Sequence, residues 1–370
     1  MVICALTNAR SWRRPGASES AYHREMLHPV VSSTPALLAL ALTLTACQGR
    51  GVDCHRRPPT AGEEAVCRVP AWRDRDYILR LPASYDPGQR YPLIVALHGG
   101  GGDKEGTNPL TCEDGDETSP HCLTQVAERE GYIIAYPDGT ANSLGFRSWN
   151  QGGTADGALQ CPYACEQGID DVAYIAALLD DIEAVASVDH RRIYATGFSN
   201  GGGMSHRLAC ELSDRLAAVA PVSGANQFAG AADCAPGRPV PVLAIHGRDD
   251  PCWPYDGGEG TCLAVQDGNY VAVEPSMIGS ADAPGWALRN GCDPAPIVTP
   301  IADNADDGTS ATLTTFAGCT AETALITIEG AGHTWPGGDQ YLAVDKIGGI
   351  SRDFSASEQI VAFFADQTLP

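Results

Sequence analysis

Between residues 77 and 365 the chain alternates short, continuously apolar runs with stretches whose apolar side chains recur at helical spacing. This alternation restricts the fold more than any other feature. The run Pro92, Leu93, Ile94, Val95, Ala96, Leu97 has no polar residue in alternation. Both of its faces must therefore be covered, the condition of a central strand in a parallel sheet. The segments 77–81, 132–136, 192–196, 216–222, 241–245 and 325–328 read the same way. Helical spacing is clear at Val172, Ile175, Ala176, Leu179 and Ile182, with Asp170 or Asp171 placed to cap it. Further helices are expected from residue 200 to about 212, over 283–290 and over 357–365, and a hairpin over 296–317. The segment 141–168 has no clear period and reads as a long loop. The expected fold class is α/β, a doubly wound, mostly parallel sheet in a single domain.

The N-terminal segment reads differently. Residues 36–44 are apolar and lead into Thr45, Ala46 and Cys47. Such a run is too short to cross roughly 30 Å of hydrocarbon, which takes about 20 residues. It has the length of an export-signal core, with a small residue before the cleavage point. Leu44-Thr45-Ala46-Cys47 is similar to a bacterial lipobox, in which cleavage leaves the cysteine as a lipidated N-terminus. Residues 1–47 are thus expected to be an export signal starting at Met1 or Met26, residues 48–67 a polar tether, and residues 68–370 the folded domain. The expected location is the periplasm, the cell surface or the exterior, with membrane contact only through an anchor at Cys47.

Cysteine usage agrees with export. Of fourteen cysteines, Cys4 falls in the signal and Cys47 at the anchor. The rest fall into candidate pairs: Cys54 and Cys67, Cys112 and Cys122, Cys161 and Cys165, Cys210 and Cys234, Cys252 and Cys262, Cys292 and Cys319. Sequence leaves the connectivity open, but disulfides persist only in oxidising compartments. A zinc site at Cys161 and Cys165 would need a second Cys/His pair at ligand spacing nearby, and none is there. No metal and no cofactor is expected. Acidic residues outnumber basic ones 46 to 24, and no Lys/Arg run exceeds two residues. A nucleic-acid partner needs a basic stripe to neutralise phosphates, so that class is excluded.

Gly197-Phe198-Ser199-Asn200-Gly201 lies where the strand 192–196 passes into a helix. A Gly-x-Ser-x-Gly pentapeptide in that setting forms a sharp turn that presents the serine hydroxyl as a nucleophile. A hydroxyl needs a base within hydrogen-bond reach, and the base needs a third group to orient it. His333, in the glycine-flanked loop after the last strand, is the expected base. His246 ends an earlier strand and precedes the acid candidates, so it cannot take the last place; His206, on the helix after the serine, reads as a surface or packing residue. Asp249 and Asp250 follow the strand 241–245, and Asp250 is preferred because Pro251 favours an extended backbone before it. Two N–H donors must meet the oxyanion; Asn200 and Gly100 are expected to supply them. The run His98-Gly99-Gly100-Gly101-Gly102 lacks the Gly-Lys-Ser/Thr ending of a phosphate-binding loop.

With these residues in place, the chain resembles the polyhydroxybutyrate depolymerase and feruloyl-esterase group of the α/β-hydrolase superfamily. The resemblance covers about residues 68–340. It rests on Leu97-His98-Gly99-Gly100-Gly101, Arg147-Ser148-Trp149-Asn150, Asp170-Asp171-Val172, Gly197 to Gly203, His246-Gly247 with Asp250-Pro251, and Gly332 to Gly337. It implies an α/β-hydrolase fold with Ser199, Asp250 and His333 as the triad. The loop after Asn150 and the segment 252–262 depart from the group by carrying an extra cysteine pair each. Trp149, Trp253, Tyr255 and Trp335 adjoin catalytic loops and are the expected substrate-binding walls of the cleft. Arg147 suits either a substrate carboxylate or a structural ion pair.

The function expected is an exported serine carboxylic ester hydrolase acting through an acyl-enzyme. Its partner is an ester substrate, either a hydroxybutyrate-type oligoester or a feruloyl or acetyl ester of plant polysaccharide. A peptidase of the same fold is the alternative, and a non-catalytic binding lipoprotein a further one.

Overall fold

The computed structural model describes residues 54–154, 156–261, 268–280 and 284–370. The expected export signal, Cys47 and Cys262 lie outside the described residues. The strands, in chain order, are β1 (Glu64–Arg68), β2 (Asp76–Arg80), β3 (Tyr91–Leu97), β4 (Ile133–Pro137), β5 (Thr140–Ala141), β6 (Arg147–Ser148), β7 (Val188–Phe198), β8 (Ala218–Val222), β9 (Val242–Gly247), β10 (Gly258–Gly260), β11 (Gly268–Tyr270), β12 (Pro296–Pro300), β13 (Ser310–Phe316) and β14 (Thr323–Glu329). Ten of them make one sheet in the order β1-β2-β4-β3-β7-β8-β9-β14-β13-β12. The six central strands run parallel, and an antiparallel pair closes each edge.

The continuous apolar runs become these central strands for the reason expected. In β3, Leu93, Val95 and Leu97 enter one core while Ile94 and Ala96 enter the other. Ile175, Leu178, Leu179 and Ile182 of the helix Asp171–Val185 cover the first face, together with Met204 and Leu208 of the helix Asn200–Glu211. Ile360, Val361 and Phe364 of the helix Ala356–Ala365 cover the second. Each such side chain contributes about 1.5–3 kcal/mol by leaving water, enough to hold both layers on the sheet. Asp170 caps the helix Asp171–Val185, its carboxylate accepting the Ala173 N–H at 2.9 Å.

Two sequence expectations are corrected. The folded unit takes in residues ahead of 68: β1 pairs with β2, and Cys54, bonded to Cys67, is buried. The segment 141–168 is not structureless. It holds the second half of the β5–β6 hairpin and a short helix, Tyr163–Glu166, pinned by the Cys161–Cys165 disulfide. Disulfides also join Cys112 to Cys122, Cys210 to Cys234 and Cys292 to Cys319. No helix among the described residues is long and apolar enough to cross a membrane.

The chain enters the parallel sheet at β3, steps outward to β4, then returns past β3 to β7 and continues to β8 and β9. The direction of winding thus reverses between β3 and β7, where open α/β sheets form a crevice at the strand C-termini. Leu97 and Gly197 are register partners, so the glycine loop after β3 and the serine turn after β7 leave the sheet side by side.

Candidate active site

Ser199 sits between β7 and the helix Asn200–Glu211 with φ 56° and ψ −117°, outside the regions an L-residue favours. Such a conformation costs on the order of 1–3 kcal/mol and needs surroundings that over-determine it. Those are present: the Ser199 N–H donates to Val222 O at 2.9 Å, and Ser199 O accepts from Gly203 N at 2.9 Å. The glycines are demanded by close approach. A Cβ on Gly201 would strike the carbonyl oxygens of Leu97 and His98, and one on Gly202 would lie 2.7 Å from Val222 O.

His333 follows β14. Its Nδ1 donates to Asp250 Oδ2 at 2.7 Å, its ring stands 4.8 Å from that of Phe198, and its buried Nε2 has no hydrogen-bond partner among the described residues. Of the two candidate acids, Asp250 makes this contact from a buried position while Asp249 is exposed. Asp250 Oδ1 accepts the backbone N–H groups of Cys252 and Trp253, each at 2.8 Å. Burial alone would raise the Asp250 pKa. The charge of His333, with hydrogen bonds from His246 and His333, overcomes it and holds the group at about 2. Asp250, Cys252 and His333 also cluster as metal ligands do. Cys252 is disulfide-bonded, so it has no thiolate to offer.

The glycine loop is fixed by His98, whose Nδ1 donates to Gly99 O at 2.8 Å while Nε2 accepts the Gly139 N–H at 2.8 Å. Only a neutral imidazole can do both, and burial lowers the His98 pKa to about 4. Gly101, at φ 82°, donates its N–H to Arg147 O at 2.7 Å. Asn200 is locked by its own side chain, with Oδ1 accepting from Trp149 N at 2.7 Å and Nδ2 donating to Trp149 O at 3.0 Å.

Two pockets meet at Ser199 and Gly100. One is lined by Leu110, Phe198, His333 and Tyr341 among others. The other is lined by Asn142, Arg147, Gln151, Gln160, Asn200, Trp253 and Tyr270 among others. Of the four aromatics expected to wall the cleft, Trp253 lines the second pocket, its ring 4.6 Å from Tyr270. The other three are absent from both linings and taken up in packing. Trp149 Nε1 donates to His98 O, Tyr255 is bonded to Thr327 Oγ1, and Trp335 Nε1 donates to Ser357 Oγ. Arg147 pairs with Asp138 and donates to Gly139 O, the structural alternative. His206 is buried and accepts the Trp286 Nε1–H, which makes it a packing residue.

Sequence reasoning weighed His246 only as a base and did not foresee that its Nε2 lies 3.2 Å from Asp250 Oδ2; it passed over the pair Gln151–Gln160. The spacing His246-x3-Asp250 carried the first signal, used there for the resemblance and for its acid. Nothing in the sequence marks the glutamines.

Residues 163–269, which include Ser199 and Asp250 but not His333, match the family model described as Phospholipase/Carboxylesterase. The chain is 32% identical over 320 residues to NocK of Nocardia uniformis subsp. tsuyamanensis, a protein designated as an esterase; the match covers 83% of this chain and 84% of that one. It is 29% identical over 301 residues to feruloyl esterase C of Emericella nidulans, covering 81% and 89% respectively. Among solved structures, an acetyl xylan esterase from Aspergillus awamori superposes with a TM-score of 0.46 at 16% identity, over 70% of this chain and 89% of its own.

Proposed function

The chain belongs to the feruloyl-esterase group of the α/β-hydrolase superfamily and is a carboxylic ester hydrolase; on that premise we propose that Ser199 is its nucleophile, His333 its base and Asp250 its orienting acid. The observation that carries this is the 2.7 Å bond from His333 Nδ1 to Asp250 Oδ2, which leaves Nε2 unpartnered on a ring that lines the same pocket as Ser199. The Ser199 hydroxyl gives its proton to Nε2 as Oγ bonds to the ester carbon. The carbonyl oxygen becomes an oxyanion, received by the N–H groups of Asn200 and Gly100. Protonated His333 then gives that proton to the departing alcohol, and the acyl group stays on Ser199. Water repeats the sequence with His333 as base, releasing the acid and restoring the hydroxyl.

This chemistry also assigns the two pockets. The leaving oxygen must come within reach of His333 Nε2, so the alcohol departs through the pocket that His333 lines. The acyl group then occupies the pocket walled by Trp253 and Tyr270, where neutral amides and aromatic rings suit a planar, oxygenated acyl better than a hydrocarbon chain. A feruloyl or acetyl ester of plant polysaccharide is therefore favoured over a hydroxybutyrate oligoester, which the similarity to feruloyl esterase C also supports. The disulfides and the apolar segment 36–44 support export, with Cys47 as a lipid-bearing N-terminus.

Ser199→Ala tests the reading. We expect it to abolish turnover of methyl ferulate and labelling by a fluorophosphonate, with the circular dichroism spectrum unchanged. Turnover retained at even a tenth of the parent rate excludes Ser199 as nucleophile.

A further inference from the structure

We propose that His246 is a positioning residue for this reaction: from the end of β9 it holds the carboxylate of Asp250, and the turn that carries it, in the orientation His333 requires. The inference rests on the triad reading above.

His246 is buried, and Thr327 of β14 is its register partner. Its Nε2 stands 2.9 Å from Trp253 O and 3.2 Å from Asp250 Oδ2. A carbonyl oxygen only accepts, so Nε2 carries the hydrogen. Nδ1 is buried and has no hydrogen-bond partner among the described residues. One N–H therefore faces two oxygens three residues apart in the turn, the carboxylate and the Trp253 carbonyl. Among the described residues Asp250 meets four donors: Cys252 N and Trp253 N at Oδ1, His333 Nδ1 and His246 Nε2 at Oδ2.

These donors do different work. The two backbone groups belong to the same turn as Asp250, so they fix the carboxylate to the turn and leave the turn itself to be placed. His246 belongs to a central strand and ties both the carboxylate and the turn carbonyl to it. The imidazole is itself held, with the Tyr255 ring edge-on at 6.0 Å and Tyr255 bonded to Thr327 Oγ1 on the neighbouring strand. Without the tie, His333 is the one donor left to Asp250 Oδ2 among the described residues. An error of an ångström in a catalytic constellation costs on the order of 100-fold in rate.

The test is a mutant cycle read on a short p-nitrophenyl ester. His246→Phe should lower kcat by on the order of 10–100-fold with KM within about twofold of the parent. His246→Gln, which keeps an N–H donor and perturbs the core less, should recover part of that loss. In an Asp250→Ala background neither change should lower kcat further, because the group through which His246 acts is gone. A residue that merely supports the fold would cost the same in both backgrounds, so additive losses overturn the inference. So does a parental kcat in His246→Phe. If Asp250→Ala alone kept the parental kcat, the triad reading itself would fall and this inference with it. If His246→Phe does not fold, the His246→Gln arm of the cycle decides.

Discussion

At Ser199 the backbone pays a cost that its side chain does not need for folding. The φ of 56° and ψ of −117° strain any residue with a Cβ, whereas glycine adopts such values freely. Ser199→Gly and Ser199→Ala should both be inactive, but the glycine variant should be the more stable. Relief of strain is worth about 1–3 kcal/mol, and the extra freedom glycine gives the unfolded chain takes back about 0.5–1 kcal/mol. A net advantage of about 1 kcal/mol over Ser199→Ala is expected in urea unfolding. Equal midpoints would show that the turn is not strained. The neighbouring carboxylates Asp249 and Asp250 show how local such distinctions are. They differ by one position, yet one is exposed and the other meets His333 at 2.7 Å. The restriction imposed by Pro251 favoured Asp250 in the sequence, but the contact itself depends on a loop 83 residues away.

Among the elements, those buried on both faces were legible from sequence. Runs such as 92–97 and 241–245 have no polar residue to betray a second reading, and they became β3 and β9. One edge was legible, as the hairpin over 296–317 that became β12 and β13; the other was not. β1 lies in a segment that reads as a polar linker, and Cys67, its one fully buried residue, is bonded to Cys54. The same limit applied to the cleft aromatics. The place of Trp149 beside a loop expected to border the cleft does not say which way its ring turns. It turns inward, toward the buried pair Arg75–Asp171, with the Arg75 guanidinium 5.2 Å from the Trp149 ring and 3.5 Å from Tyr174. Asp171 also accepts Asn150 N at 2.6 Å, so one ion pair fastens the helix Asp171–Val185 to the loop that clamps Asn200. Removing one partner of such a pair strands the other charge. Asp171→Asn should cost about 3–5 kcal/mol in denaturant unfolding, and the double change Arg75→Met with Asp171→Leu should regain most of it. A loss below about 1 kcal/mol would mean that the charge finds another partner.

Over the whole molecule, two buried histidines, His98 and His206, should set the acid limit. Burial lowers His98 to about 4 and His206 to about 3, against an ordinary value of 6.5. In the unfolded chain both take up protons as the pH drops through 6.5, while in the folded chain they stay neutral. The unfolded state then binds more protons, so stability falls with falling pH. The contribution is fully present above pH 6.5 and is lost as the pH falls through about 4 for His98 and about 3 for His206. Between these limits each group contributes up to about 1.4 kcal/mol per pH unit. Asp250 acts in a lower window, since its folded value of about 2 lies below the ordinary 3.8. Its contribution is present above pH 3.8 and lost as the pH falls through 2. Tm should therefore decline from pH 6.5 downward, before the carboxylates begin to titrate. His206→Gln isolates one of the two histidines, because the amide can still accept the Trp286 indole N–H. Its unfolding free energy between pH 6 and 4.5 should fall less steeply than the parent's, by close to one proton. Parallel slopes for the two proteins would assign the acid limit to other groups.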